Sequence, residues 1–320
     1  MTRRMDVRLA LVLAFVVSMA IPASASAADG ELRALGTGRT AVVTDGTRWA
    51  AYQPNATSIT IRDDARGRSF ELSNPPGCRL IALAEGARLL RQCPPDPPAE
   101  GEPPPDPAPD RRYEVVNLVQ ESINDVPAQP GDDFTEIGTR WLAGESRPQP
   151  GHVFRTYLDW RTGQRHDFGE DPSDARVPRN LNSATLVPLS PPRPAHYVVA
   201  AASPFTVAHT GRDSRERPTS LDLYRGTTDR SFGQRVARLD RCGAIACRSV
   251  TIGGGIVTWV KGRQVRGRAT RGEERVVVRL DPRASAAGLS ATHTRTTVYV
   301  ALFKGEDESS GYRLYALDWR

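Results

Sequence analysis

Apolar and polar residues alternate with period two along most of the chain, in short runs closed by Gly, Asp or Arg. "SITIRDDARG" (58–67), "TYLDWRTG" (156–163), "SLDLYRGTTD" (220–229) and "YRLYALDWR" (312–320) each alternate and then reach a turn or the chain end. Such runs predict half-buried β-strands, and no window carries a sustained helical stripe of apolar residues. A further short strand follows most of them: "RSFELS" (68–73), "QRHDFG" (164–169) and "SFGQRVARL" (231–239). "QVRGRAT" (264–270) and "ERVVVRL" (274–280) form an equivalent pair.

Ahead of these elements stand segments that resemble one another. "VVTDGTRWAAY" (42–52), "IALAEGARLLRQC" (81–93) and "FTEIGTRWLAGE" (134–145) share an apolar run, then Gly, a spacer, Arg and two apolar residues. "SVTIGGGIVTWVKG" (249–262) and "LSATHTRTTVYVALF" (289–303) are looser relatives. Asp45-Gly46 and Glu85-Gly86 fall where a two-residue hairpin needs positive φ. The unit is four short antiparallel strands recurring at roughly 40–50 residues, the period of propeller blades. Six units are expected, near residues 39–75, 77–128, 132–178, 180–235, 236–283 and 286–320. Unit two lacks a clear fourth strand, and unit four carries Pro188 in its expected first strand. A two-sheet sandwich is the other architecture that such strands could build.

The repeat makes the chain similar to exported bacterial β-propellers of the six-bladed, TolB-like kind, which implies an all-β propeller over residues 29–320. "LDWR" ends a third strand at 158–161 and recurs at 317–320, where the chain stops. The last blade is therefore one strand short, an unpaired edge that natural sheets avoid. "ELRALG" (31–36) is expected to add beside Tyr312–Arg320 and close the ring.

Composition changes the picture at the N-terminus first. Arg3, Arg4 and Arg8 precede "LALVLAFVVSMAI" (9–21) and the small-residue segment "PASASAAD" (22–29), the layout of a cleavable signal peptide over 1–28. No later stretch approaches the ~20 apolar residues that span a bilayer, so the expected location is secreted or extracytoplasmic. Without residues 1–28 the formal charge falls from +6 to +4, because three Arg and Asp6 leave with them. No basic block of the length seen in nucleic-acid tails remains, and nucleic acid is not an expected partner. Four cysteines in an exported chain suggest two disulfides. Three connectivities exist; the simplest joins sequence neighbours, Cys78 with Cys93 and Cys242 with Cys247.

Loop lengths point to one face. In a four-stranded blade the second-to-third loops share one end, and here they are expected at 94–112 (Pro-rich), 144–153, 203–218 and 304–311. Long, uneven loops on a rigid scaffold are where binding usually resides. His152, His209, Arg212 and Asp213 fall on those loops and are the candidate ligand-binding residues. Two His and one Asp could share protons or bind metal, and Arg212 could meet an acidic ligand. No spacing requires a metal, and no cofactor is implied. GxSxG, HExxH, the phosphate loop and the dinucleotide fingerprint are all missing from the sequence, so no catalytic residue is assigned. Trp49, Trp141 and Trp259 occupy comparable second-strand positions, which argues for packing between blades. The expected function is a monomeric, non-enzymatic propeller that binds a protein, peptide or cell-envelope ligand. The alternative is an extracellular hydrolase or lyase with acids drawn from several blades into the axial funnel.

Overall fold

The computed structural model of the chain describes residues 32–84, 86–95, 111–138, 140–149, 152–168, 187–188, 197–202, 204–212, 214–215, 217–225, 234–271, 274–279, 288–303 and 311–318. They form six antiparallel sheets arranged as the blades of a propeller. Blade one runs from β2 (Val43–Thr44) through β3 (Trp49–Tyr52) and β4 (Ser58–Asp63) to β5 (Arg68–Ser73). Blade two holds β6 (Arg79–Ala84), β7 (Arg88–Cys93), β8 (Arg112–Asn117) and β9 (Ser122–Val126). Blade three holds β10 (Asp132–Ile137), β11 (Trp141–Gln149), β12 (His152–Asp159) and β13 (Arg165–Phe168). In blade four a short extra strand, β14 (Val187–Pro188), precedes β15 (Tyr197–Ala202), β16 (Phe205–Arg212), β17 (Pro218–Arg225) and β18 (Gln234–Arg241). Blade five is β19 (Cys247–Gly253), β20 (Ile256–Lys261), β21 (Gln264–Ala269) and β22 (Glu274–Arg279).

The sixth blade takes strands from both ends of the described chain. β23 (Leu289–His293), β24 (Thr297–Phe303) and β25 (Tyr312–Asp318) are completed on the outside by β1 (Arg33–Gly38). β1 runs antiparallel to β25, with Arg33 opposite Ala316 and Gly38 opposite Tyr312. The closure expected from the repeated LDWR is therefore present, two residues further along than 31–36. Trp319 and Arg320 lie outside the described residues.

Apolar side chains of neighbouring blades meet in layers. Ile59 and Ile61 of blade one pack with Leu80 and Leu89 of blade two, and Leu90 and Val115 of blade two with Phe134 and Leu142 of blade three. Val207 and Leu223 face Val257 and Trp259; Val260 faces Val298; Ala50 and Tyr52 face Tyr299 and Leu314. Trp49 and Trp259 lie in these layers, whereas the half-buried Trp141 packs on Ala143 and Tyr157 of its own blade. In blades two to five the first strand bulges against the second, at Leu80/Ala82, Phe134/Glu136, Val198/Ala200 and Arg248/Thr251. A bulge strengthens local twist, and a blade must twist between the axis and the rim.

Several sequence expectations need correction. Blade two does have a fourth strand, β9, hidden because three of its five residues are exposed. Pro188 lies on β14, and the first regular strand of blade four is β15. Blade four extends to Arg241, not 235. The first hairpin of blade one is a four-residue turn rather than a two-residue one. The Asp45 carboxylate accepts the N–H groups of Thr47, Arg48 and Trp49 and holds it. Residues 144–153 are mostly strand: β11 and β12 continue past the edge of β10 to pair Gln149 with His152. Half of 203–218 is also strand, β16.

Candidate functional site

At one end of the propeller lie the second-to-third turns and the connectors between blades, and both disulfides sit at this end. Cys78–Cys93 ties the connector before β6 to the last residue of β7, and Cys242–Cys247 spans the connector from β18 to β19. The pairing is the simplest of the three connectivities. Residues 94–95 leave this frame toward the Pro-rich segment, whose residues 96–110 lie outside the described residues.

Beside the first disulfide is a cleft of about 650 Å³ where blades six, one and two converge. Its walls are Arg39–Ala41 of the β1–β2 connector, Gln53 and Ala56 at the β3–β4 turn, Gly77–Arg79 at the entry to β6, and Phe303 and Tyr312. The floor is stitched together. Gln53, buried, donates from Nε2 to the Cys78 carbonyl (3.2 Å), and its own carbonyl accepts the Arg39 N–H (2.6 Å). Asn74 Nδ2 donates to the carbonyls of Cys78 (2.7 Å) and Ala56 (3.2 Å). One wall is aromatic: the Phe303 and Tyr312 ring centroids are 5.1 Å apart with planes tilted 56°. At the mouth stand the exposed residues Arg39 and Arg79. Arg79 Nε donates to Gln92 Oε1 (2.5 Å), and Gln92 in turn donates to the Tyr113 hydroxyl (2.8 Å). Among the described residues the lining includes no Asp or Glu.

The sequence candidates lie elsewhere on the ring. His209 stands within β16, opposite Tyr197 and Leu221, not on a loop. Burial pushes its pKa below the ordinary histidine value, opposed by a hydrogen bond to the Cys247 backbone, and its Nε2 is buried with no hydrogen-bond partner. It therefore borders the second disulfide. Arg212 ends the same strand, paired with Pro218. His152 begins β12 in blade three, opposite Gln149. Asp213 lies outside the described residues. Among the described residues no group of three His, Cys, Asp or Glu side chains could hold a metal ion.

Apart from Cys78, no cleft residue stands out in the sequence, yet two of them carry a signal. Arg39 and Arg79 each lie seven residues before the turn glycine of their blade, Gly46 and Gly86. Aligning the repeats on that glycine puts both arginines at the same entry position.

No family model matches the sequence, and no curated protein matches it. Solved structures do match. The β-propeller domain of the Trilobed protease from Pyrococcus furiosus aligns over 90% of this chain and 96% of its own, at 10% identity and TM-score 0.54. Acylaminoacyl peptidase from Pyrococcus horikoshii aligns over 89% of this chain at 10% identity and TM-score 0.54. This chain spans about half of that enzyme, 51% of its length. TolB from Acinetobacter baumannii aligns over 91% of this chain and 64% of its own at 11% identity and TM-score 0.40. The first two likenesses show the propeller fold and nothing beyond it. The Trilobed protease propeller is described as having an open velcro topology, whereas β1 and β25 close this ring.

Proposed function

We propose that the protein is an exported, non-enzymatic propeller that binds a protein, peptide or cell-envelope ligand through the face bearing its disulfides and inter-blade connectors. The observation that carries this reading is the cleft itself, a rigid concavity of about 650 Å³ at the meeting of three blades. That volume is in the range of ligand sites. Export is supported by the signal-peptide layout of residues 1–28 and by two disulfides, which persist in oxidising compartments. No helix among the described residues is long and apolar enough to cross a membrane. His152, His209 and Arg212 belong to the neighbouring blades three and four, and we propose them as a second, outlying part of the same binding face.

The test is cross-linking of the mature protein in an envelope fraction, followed by mapping of the linked residues. Links should cluster on the connectors and second-to-third turns, and should fall when residues 96–110 are replaced by a short linker. Links confined to the opposite turns, around Gly46, Gly163 or Gly255, would overturn the reading.

A further inference from the structure

We infer that the cleft between blades six, one and two takes an acidic segment of a peptide or protein, with a carboxylate side chain held between Arg39 and Arg79. The inference rests on the binding-face reading and gives its ligand a chemistry.

The first ground is how this chain uses arginine elsewhere. Arg48 meets Asp63 at 2.5 Å, Arg91 meets Glu114 at 2.5 Å, Arg165 meets Asp132 at 2.8 Å, and Arg140 pairs with Asp159. Arg39 and Arg79 form no ion pair among the described residues, and no described carboxylate lines the cleft between them. Guanidinium groups present planar, directional donors that match a carboxylate.

The second ground is preorganisation. Gln53 joins the two connectors, its side chain to the Cys78 carbonyl and its backbone carbonyl to the Arg39 N–H; Asn74 also binds the Cys78 carbonyl, and Cys78 is covalently held to β7. Gln92 holds Arg79 by its Nε and leaves the terminal nitrogens of the fork to aim at a ligand. A ligand that binds there orders little of the protein, which lowers the cost of association.

The third ground separates a peptide from an acidic glycan. The Phe303 and Tyr312 rings are tilted 56° to one another, with centroids 5.1 Å apart. They form an angled apolar wall, suited to a neighbouring apolar side chain. Arg and aromatic residues together are the composition of peptide-recognition hot spots.

The probe is a short fluorescent peptide containing Glu and Leu, compared by anisotropy with its Gln counterpart, using the mature protein. The Glu peptide should bind about tenfold tighter or more, the value of one to two charge-assisted hydrogen bonds, and should weaken with salt. Arg39→Glu with Arg79→Glu should abolish that preference. Both side chains are exposed, so the double variant should fold, its Tm lowered only by the loss of the Arg79–Gln92 hydrogen bond. Tyr312→Ala should weaken both peptides alike. Equal binding of the Glu and Gln peptides, or full binding by the double variant, overturns the inference, as does tighter binding of polygalacturonate than of the Glu peptide. If the peptides bind equally while envelope cross-links still map to this face, the acidic chemistry falls and the binding-face reading stands. If cross-links map to the opposite face while the Glu preference persists, the binding-face reading falls instead.

Discussion

Single residues near the axis show how tightly the ring is drawn. His293 on β23 is fully buried; its Nε2–H donates to the Gly253 carbonyl (3.2 Å), and its Nδ1 accepts from the Thr258 hydroxyl (2.9 Å). Both nitrogens are satisfied by the neutral ring, and burial depresses its pKa to about 4. The unfolded chain then binds the proton more readily than the folded one. The stabilisation is complete above the unfolded value of about 6.5 and is lost as pH falls toward about 4. The loss should be on the order of 3 kcal/mol. Urea midpoints at pH 7 and pH 4.5 should differ for the parent and much less for His293→Gln; equal slopes would show that another group controls the transition. Asp63, held below the usual carboxylate range chiefly by the hydrogen bond from Arg48, and Asp159, where burial pushes upward but is outweighed by hydrogen bonds from Arg140 and the 161–162 backbone, add a further loss at still lower pH. Gly253 makes a second test. A Cβ there would lie 2.5 Å from the Cα and carbonyl oxygen of Gly46, backbone atoms of blade one that cannot rotate away. Gly253→Ala should cost about 1–3 kcal/mol as overpacking, measured by chemical denaturation, whereas Gly67→Ala, where the added atom meets nothing within 4 Å, should suffer only its backbone strain.

At the scale of elements, the closing strand has a measurable consequence. β1 supplies the outer edge of blade six, and Leu32 and Leu35 beside and within it pack against the blade-five and blade-one layers. Removing residues 33–38 uncovers the ladder of β25 and should lower Tm by several degrees, at ~2–4 °C per kcal/mol. The exposed edge should also promote self-association, visible by size-exclusion chromatography. An unchanged Tm and a monomeric profile would mean that blade six stands on three strands. This strand was legible because the LDWR repeat marks a missing partner. β16 was not, for a physical reason. It is buried on both faces, with Thr206, Val207, Ala208 and Thr210 all shielded, so alternation disappears. Its Thr210 is satisfied inside, where its hydroxyl and that of Ser220 on β17 bond the Asp222 carboxylate. A strand of this kind reads as a polar loop. The cleft was illegible for a different cause: its residues come from five separate stretches of chain, and only the shared repeat position of Arg39 and Arg79 hints that they meet.

For the molecule as a whole, the two disulfides lie on the proposed working face but differ in what they restrain. Cys78–Cys93 closes a separation of 15 residues and Cys242–Cys247 one of 5. Loop-closure entropy assigns the first about 3 kcal/mol and the second about 2 kcal/mol. Those values are close, so stability alone would hardly distinguish the bridges. Ligand binding should. Cys78 offers the carbonyl on which Gln53 and Asn74 converge, and it lines the cleft; the other bridge lies across the ring between blades four and five. Replacing Cys78 and Cys93 by Ser should lower Tm and also weaken the Glu-peptide preference, because the connector bearing Arg79 is freed. Replacing Cys242 and Cys247 should lower Tm by a comparable amount and leave that preference intact. Peptide titrations of both double variants well below their melting temperatures make the comparison. Equal losses of affinity would mean that the cleft depends on the stability of the ring as a whole. A loss confined to the first variant would mean that the bridge beside it sets its shape.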